Sequence, residues 1–593
     1  MSGVLHRWLI NLRKFGKFEE LKKKLPVKGE FISGFEGSVS GVPHVSVVYG
    51  APGAGKTSKL VDMIKTKVVP KPVLVLAFNN STAHWFSNKV RGVDCVSVRT
   101  MDSVAVSFVG FPNMLSRGRN IEAGVEYLRS VASEAFDVPY SHDPYELAPG
   151  NEIFGLFDYA VNKTGKDGIN LLIKLLNELI PGLGGVIESY VTCLSGKGRF
   201  VDKKTQEEIK CEAKYDFTLA RLELLGFPLP HVKVGREDCG LPRTLIVDEF
   251  QDMSPLMLGI LGKWLARGDV EHFVVAGDFD QLIYRSLHHA DLEVPRWLYN
   301  QAKSRHGWQV IELSYSHRVA KPLDALAIEF LNAHDDEPSP WRRWSGNKEK
   351  FGVLYVKPVE DALREIRRDF ESREDLRMGR VSYGVLTPTN EVVLTLSTEL
   401  MKKGVLPHFL KGYPFKVKKV IDITKAILSS NPGKIAITNL DIDEDDEDLV
   451  DAINGVIRYA RLRAKDYARG TITTHLEGKE SASIEEALKR VIEDELDVKY
   501  LTYARNPRAP VFIDTVYTAK GLEFDKVYIA NYARKGSKVP RNKWGARLFY
   551  VALTRSKGSV VIMTSNNKDD VEWFSKDELV ELAKKVGVEV VEG

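Results

Sequence analysis

Gly50-Ala51-Pro52-Gly53-Ala54-Gly55-Lys56-Thr57 has the spacing G-x-x-x-x-G-K-[ST], and the chemistry of that spacing is a grip on phosphate. Gly50, Gly53 and Gly55 let backbone N–H groups approach phosphate oxygens, and a helix beginning there favours their negative charge. Lys56 is placed to reach the β/γ-phosphates, and Thr57 offers a hydroxyl to Mg²⁺. A second group of polar residues is Asp248-Glu249. The first carboxylate suits Mg²⁺, directly or through water, and the second suits polarising an attacking water. An Asp-Glu pair at a strand end is common and mostly structural when it stands alone. With Lys56, and with Gln281 following the next strand, the set becomes specific to nucleotide hydrolysis.

Such residues need a scaffold that aims them at one place. His44–Tyr49 is an apolar run that reads as a buried strand, and Leu60, Val61, Met63 and Ile64 have helical spacing. Strand, glycine loop and helix are therefore consecutive. Pro72–Phe78, Thr244–Val247 and His272–Ala276 are further apolar strands, the last two running into Asp248-Glu249 and Gly277-Asp278. Strands that end in polar residues, with helices between them, define a parallel sheet with its ligand at the carboxyl ends. A second α/β segment begins near 300, with strand candidates Gly352–Val356, Ser382–Leu386, Val511–Ile513 and Lys526–Ala530.

Between these strands lie segments of other character. Residues 110–235 read as mainly helical with Gly/Pro breaks, and 430–508 as a charge-rich helical insertion. Lys197–Lys214 gathers six Lys/Arg around Phe200, which fits a single-strand track or a solvated loop about equally well. The acidic run Asp441–Asp448 fails as a calcium loop, because Asp446 stands where Gly is needed and Ala452 where Glu is needed. Residues 1–28 carry eight Lys/Arg against two Glu and read as a surface helix docked on the first domain. The sharper alternative is an arm that binds nucleic acid or a partner.

The bulk properties set wide bounds. A length of 593 residues suggests about four domains, and 44% hydrophobic with 28% charged residues describes a globular chain with ample core. A net charge of +4 argues for no partner by itself. Cys95, Cys193, Cys211 and Cys239 are scattered without a C-x-x-C pair, so the expectation is reduced, buried thiols and an intracellular, cytoplasmic protein. No stretch of 18 apolar residues appears. Glutamine occurs five times while Lys and Glu abound, a bias like that of hyperthermophile proteins.

From Gly50 to about Thr564 an ordered series of motifs resembles the UvrD/Rep/PcrA family of superfamily 1 DNA helicases. After Gly50–Thr57 come Ala77-Phe78-Asn79-Asn80 with Thr82-Ala83, Arg99–Ser103, Asp248–Asp252 and Gly277–Tyr284. Leu313–Arg318, Lys411–Phe415, Tyr517–Phe524 and Tyr550–Arg555 follow in order. The resemblance implies two RecA-like parallel-sheet motor domains, each with a mainly helical insertion, and ATP with Mg²⁺ held between them. It implies that Arg318 and Arg555 are arginine fingers and that Gln281 senses the γ-phosphate. It also implies that Glu523 binds the ribose and that His317 stands where the family has a tyrosine able to stack on adenine. Phe78, Asn79, Thr100 and Tyr284 fall on family positions that meet single-stranded DNA, Phe78 and Tyr284 by stacking.

The boundaries expected on that basis are a basic extension at 1–40, a first motor at 41–110 and 236–292 with its insertion at 111–235, and a second motor at 293–429 and 509–593 with its insertion at 430–508. The chain departs from the family pattern in four places. Residues 1–50 contain no glutamine to read adenine, His317 replaces tyrosine, Ser286 replaces a base-stacking tryptophan, and 38 residues follow Arg555, so the expectation is a chain without the family's nuclease domain. The expected function is an ATP-dependent helicase moving 3′→5′ on single-stranded DNA and at single-strand/duplex junctions, with an RNA backbone tolerated by the same contacts. The alternatives are a translocase that does not unwind, or an ATP-gated binding switch.

Overall fold

The computed structural model describes residues 17–114, 121–141, 148–201, 208–285, 289–337, 342–410, 412–429, 447–468, 483–497, 501, 509–537 and 539–593. The chain forms two compact units, one of residues 1–142 and 147–315 and one of 143–146 and 316–593. Two units stand where length suggested four, and in the second of them the inserted helix shares the core of its host sheet.

The first unit is built on a six-stranded sheet. In chain order its strands are β1 (His44–Gly50), β2 (Val73–Ala77), β3 (Val96–Thr100), β4 (Thr244–Val247), β5 (His272–Gly277) and β6 (Trp308–Leu313). They lie in the order β6-β1-β5-β4-β2-β3, every pair parallel. β2 and β4 are buried along their whole length, which is why they read as unbroken apolar runs. This order sets β5 between β1 and β4, so three loops open side by side at the carboxyl ends. Helix α1 (Lys56–Lys65) follows β1, α2 (Asn80–Lys89) follows β2, and α3 (Met101–Val109) follows β3.

Between α3 and β4 the described chain is mainly helical, with two short hairpins, Arg199–Val201 with Glu208–Lys210 and Lys233–Val234 with Glu237–Asp238. Within the basic segment Lys197–Lys214, Arg199–Val201 thus pairs antiparallel with Glu208–Lys210. The helix Lys17–Lys24 buries Phe18 and Leu21, and Lys163 at the end of the helix Pro149–Thr164 donates to the Lys22 carbonyl at 3.2 Å. That is the docked arrangement; residues 1–16 of the basic extension lie outside the described residues.

The cysteines correct the sequence reading. Cys95 is bonded to Cys239 (Cα–Cα 5.7 Å) and Cys193 to Cys211 (Cα–Cα 5.0 Å), so no described thiol is free. The first pair lies 144 residues apart in the chain and meets only because the hairpin leading to Cys239 returns beside the start of β3. Spacing along the sequence carries no trace of that return.

In the second unit β7 (Tyr315–Lys321) pairs with β8 (Ser345–Phe351). The main sheet holds β9 (Val353–Pro358), β10 (Tyr383–Thr387), β11 (Val511–Thr515), β12 (Phe524–Ala530), β13 (Ser556–Thr564) and β14 (Glu589–Glu592) in the order β11-β10-β12-β13-β9-β14, again all parallel. The helix Glu447–Ala468 buries Ile453, Val456 and Ala460 in the same core as Val385 and Leu400, so the second insertion has no core of its own. Most of the acidic run before it lies outside the described residues. No helix among the described residues is long and apolar enough to cross a membrane.

Candidate nucleotide and nucleic-acid sites

β1 ends at Gly50, where a Cβ would come within 2.9 Å of the Leu313 Cβ and 3.1 Å of the Lys56 Cγ, so only glycine fits between the neighbouring strand and the loop it begins. Gly53 (φ 70°) and Gly55 (φ 83°) take left-handed backbone, which turns the loop back onto α1. Lys56 is buried and donates from Nζ to the carbonyls of Gly50 (2.9 Å) and Ala51 (3.1 Å), closing the loop on itself. Thr57 donates from Oγ1 to Asp248 Oδ2 at 2.9 Å, joining the start of α1 to the end of β4.

Asp248 is buried, and its pKa is pushed up to about 7, first by burial and then by the neighbouring Glu249 charge, against the Thr57 hydrogen bond and Lys56. Glu249 sits in left-handed backbone (φ 53°, ψ 45°), a conformation costing a non-glycine residue about 1–3 kcal/mol. At that turn Asp248 Oδ1 accepts from the Glu249 N–H at 3.0 Å.

The ends of β4 and β5 are tied by a residue to which sequence reasoning assigned no role. Gln251 is fully buried and donates from Nε2 to Glu249 Oε2 (2.6 Å), while its Oε1 accepts from the Asp278 N–H (3.2 Å). Asp278 in turn accepts from Gln281 Nε2 at 2.7 Å. Burial raises the Asp278 pKa, opposed by Lys56 and the Gln281 hydrogen bond. Gly277 makes room for the bridge, since a Cβ there would stand 2.4 Å from Gln251 Oε1. The only sequence signal for Gln251 was its place in the Asp248-Glu249-Phe250-Gln251-Asp252 string.

Thr57 and Asp248 fit a divalent cation. Both present hard oxygen atoms, and a cation there would neutralise a carboxylate that burial otherwise drives toward its protonated form. The first unit thus gathers Gly50, Gly53, Gly55, Lys56, Thr57, Asp248, Glu249 and Gln281 at the carboxyl ends of three adjacent strands.

Near the same end, Phe78 follows β2 directly, and its ring centroid lies 5.1 Å from that of Tyr284, the planes 36° apart. Asn79 caps α2, its side chain accepting from the Thr82 N–H at 2.8 Å. Thr100 is buried and forms a reciprocal cap with Ser103 at the start of α3. Its hydroxyl is therefore used in holding the helix, a role the sequence reading did not give it. Ser286 lies outside the described residues.

The remaining candidates belong to the second unit. Arg318, on β7, donates from Nε to Glu523 Oε2 at 2.8 Å, and Lys557 lies 3.3 Å from the other Glu523 oxygen. Burial pushes the Glu523 pKa up, but Arg318 and Lys557 outweigh it and hold the carboxylate ionised. The expected finger and the expected ribose ligand are thus an ion pair. Arg555 is buried and donates from Nε to the Val551 carbonyl (3.1 Å) and from a terminal nitrogen to the Leu522 carbonyl (3.2 Å). His317 is exposed on β7, its carbonyl accepting from Asn347 at 3.0 Å.

Residues 40–287 match the family described as an AAA domain, and residues 471–567 match the UvrD-like helicase C-terminal domain. Among curated proteins the chain is similar to the ATP-dependent DNA helicase UvrD2 of Mycobacterium bovis and of Mycobacterium tuberculosis, 24% identical over 350 residues in each case. The match covers 53% of this chain and 46% of each relative, so the chain spans less than half the length of the relatives it matches.

Proposed function

Because the chain belongs to the UvrD-like superfamily 1 helicases, we propose that it hydrolyses ATP to move along single-stranded DNA in the 3′→5′ direction and to part duplex at a junction. The observation that carries the reading is the convergence of Lys56, Thr57, Asp248, Glu249 and Gln281 in the first unit. In the chain's own residues, the loop N–H groups of 50–57 bind phosphate, and Lys56 exchanges its two carbonyl partners for phosphate oxygens. Thr57 and Asp248 would hold Mg²⁺, which would supply positive charge to the phosphates. Glu249, held by Gln251, orients the attacking water and takes its proton. Gln281 reports the state of this site through Asp278. Arg318 and Arg555 supply guanidinium charge to the transferred phosphoryl group, each leaving its present partners to do so.

Phe78 and Tyr284 would stack on bases, and stacking on an aromatic is sequence-tolerant, as a translocase requires. Lys56→Ala is expected to abolish ATPase activity stimulated by single-stranded DNA while DNA binding persists. Undiminished hydrolysis in that variant would sink the reading. Strand displacement on 3′-tailed and 5′-tailed duplexes fixes the polarity, and DNA-stimulated hydrolysis without displacement would identify a translocase that does not unwind.

A further inference from the structure

We infer that Trp85, with Lys89, forms an additional single-strand contact on α2: a platform for one base with a cation beside it for phosphate. The inference rests on the motor reading above and extends it to a residue outside the motifs that carried that reading.

α2 buries Phe86, and Val90 just past its end is buried too, both in one core with Val73 and Val75 of β2. Trp85, its neighbour in the chain, is 40% exposed. Tryptophan normally buries most of its large apolar surface. Among the described residues it is the only exposed tryptophan; Trp264, Trp308, Trp344 and Trp573 are buried, and Trp297 and Trp544 are partly so. Its ring is not idle. Lys89, one turn further along the same face, holds Nζ 5.5 Å from the ring centroid. His84 and Arg91 are exposed nearby along the chain, so the surroundings favour a polyanion.

Position selects the occupant. Asn79 caps α2 immediately after Phe78, and Phe78 meets Tyr284 at 5.1 Å. At a rise of about 1.5 Å per residue, Trp85 lies about 8 Å along the axis from the first residue of α2. It therefore lies on the helix that begins directly after Phe78, one of the proposed base-stacking pair. With Lys89 Nζ over one face of the ring, the platform offered to a base is the other face, and the same lysine serves the base's phosphate, the combination that binds single strands without reading sequence. An apolar protein partner would leave the lysine and its neighbours without complementary charge. The family's second stacking tryptophan is replaced by Ser286 in this chain, and Trp85 would restore a platform on a different element.

The test measures binding of a labelled oligothymidylate to wild-type protein and to the Trp85→Ala, Trp85→Phe and Lys89→Ala variants, with the thermal midpoint of each as a folding control. Trp85→Ala is expected to raise Kd about tenfold, within the roughly 5- to 150-fold range of one base stacked on an aromatic. Trp85→Phe should recover most of that loss. Lys89→Ala should lower the slope of log K against log salt by about 0.7, one phosphate contact on a single strand. Replacing bases with abasic sites should weaken the wild type more than Trp85→Ala, and oligothymidylate should quench wild-type tryptophan fluorescence more than that of Trp85→Phe. If Trp85→Ala binds the oligomer as the wild type does, the platform is overturned while the motor reading stands. If Trp85→Ala alters only self-association, the surface belongs to a second copy and the inference likewise falls. If the wild type itself binds no single strand, the motor reading fails and takes this inference with it.

Discussion

Replacing Gln251 with leucine tests whether the bridge between the ends of β4 and β5 sets the rate of hydrolysis. The side chains are similar in size and the site is fully buried, so the change removes polarity with little change in volume. Three hydrogen bonds are lost: the 2.6 Å bond to the Glu249 carboxylate, the 3.2 Å bond from the Asp278 N–H, and a longer one from Nε2 to Asp252 Oδ2 at 3.3 Å. A bond to a charged group contributes about 1.5–3 kcal/mol, and leaving a buried N–H unpaired costs about 1–3 kcal/mol, so stability should fall by about 3–6 kcal/mol. Domains have about 5–15 kcal/mol to lose, so the variant should still fold at low temperature. Catalysis should suffer separately. A positioned acid or base contributes about 10²–10⁴-fold, and an unrestrained Glu249 should forfeit about 10- to 100-fold of kcat. Gln251 touches neither Lys56 nor Thr57 among the hydrogen bonds of the loop, so KM for ATP should change little. Gly277→Ala offers a second route to the same result, because its Cβ would stand 2.4 Å from Gln251 Oε1 and push the amide away without deleting it. Steady-state ATPase assays with saturating single-stranded DNA, beside urea unfolding, separate the two effects. A folded Gln251→Leu variant with kcat within about twofold of wild type would refute the claim that this bridge positions the base.

Other consequences are open to direct measurement. Cys95→Ser should destabilise the first unit by about 2–5 kcal/mol, read by urea unfolding with and without reductant, whereas reductant should leave the unfolding of that variant changed only through Cys193–Cys211. Burial pushes the His408 imidazole down to about 4 from its ordinary value near 6.5. The unfolded chain then takes up this proton first, so stability falls as pH drops from 6.5 to about 4, by about 3 kcal/mol for the full shift, and does not change on this account above 6.5. His408→Gln should flatten that window in the second unit's unfolding curve. Glu523→Gln should release Arg318 from its 2.8 Å ion pair, and if that pairing restrains the arginine, kcat should rise or hold while KM for ATP increases. A fall in kcat with KM constant would assign Glu523 to the chemical step.

How much of this was legible in the residues depended on the distance over which partners act. Lys56 and Thr57 were readable because strand, loop and helix are consecutive, and Asp248-Glu249 because a buried apolar run ends there. The parallel sheets followed from the same runs, since both faces of β2 and β4 are covered and alternation disappears. Gln251 was not readable in role, because its partner Asp278 is adjacent only once β5 lies beside β4. The Arg318–Glu523 pair joins residues 205 apart, and neither carries a local sign of the other. Thr100 falls on a family position that meets nucleic acid, and its burial and reciprocal bond with Ser103 add a capping task that motif position alone does not show. The disulfides are hidden from the sequence for the same reason as the role of Gln251: pairing is a property of the folded path and not of spacing.

The Cys95–Cys239 bond makes a closed covalent ring of everything between its ends, which includes β3 and the whole helical insertion of the first unit. A protease that cuts once inside that ring cannot release a fragment. The nicked protein keeps its full mass until reductant is added, and its sheet retains β1, β2, β4 and β5 on one side of the cut or the other, tethered at the edge where β3 begins. The ring thus makes the insertion tolerant of backbone breaks, and limited proteolysis read with and without reductant would map its exposed surface while the strands that carry Lys56 and Asp248 stay in one molecule.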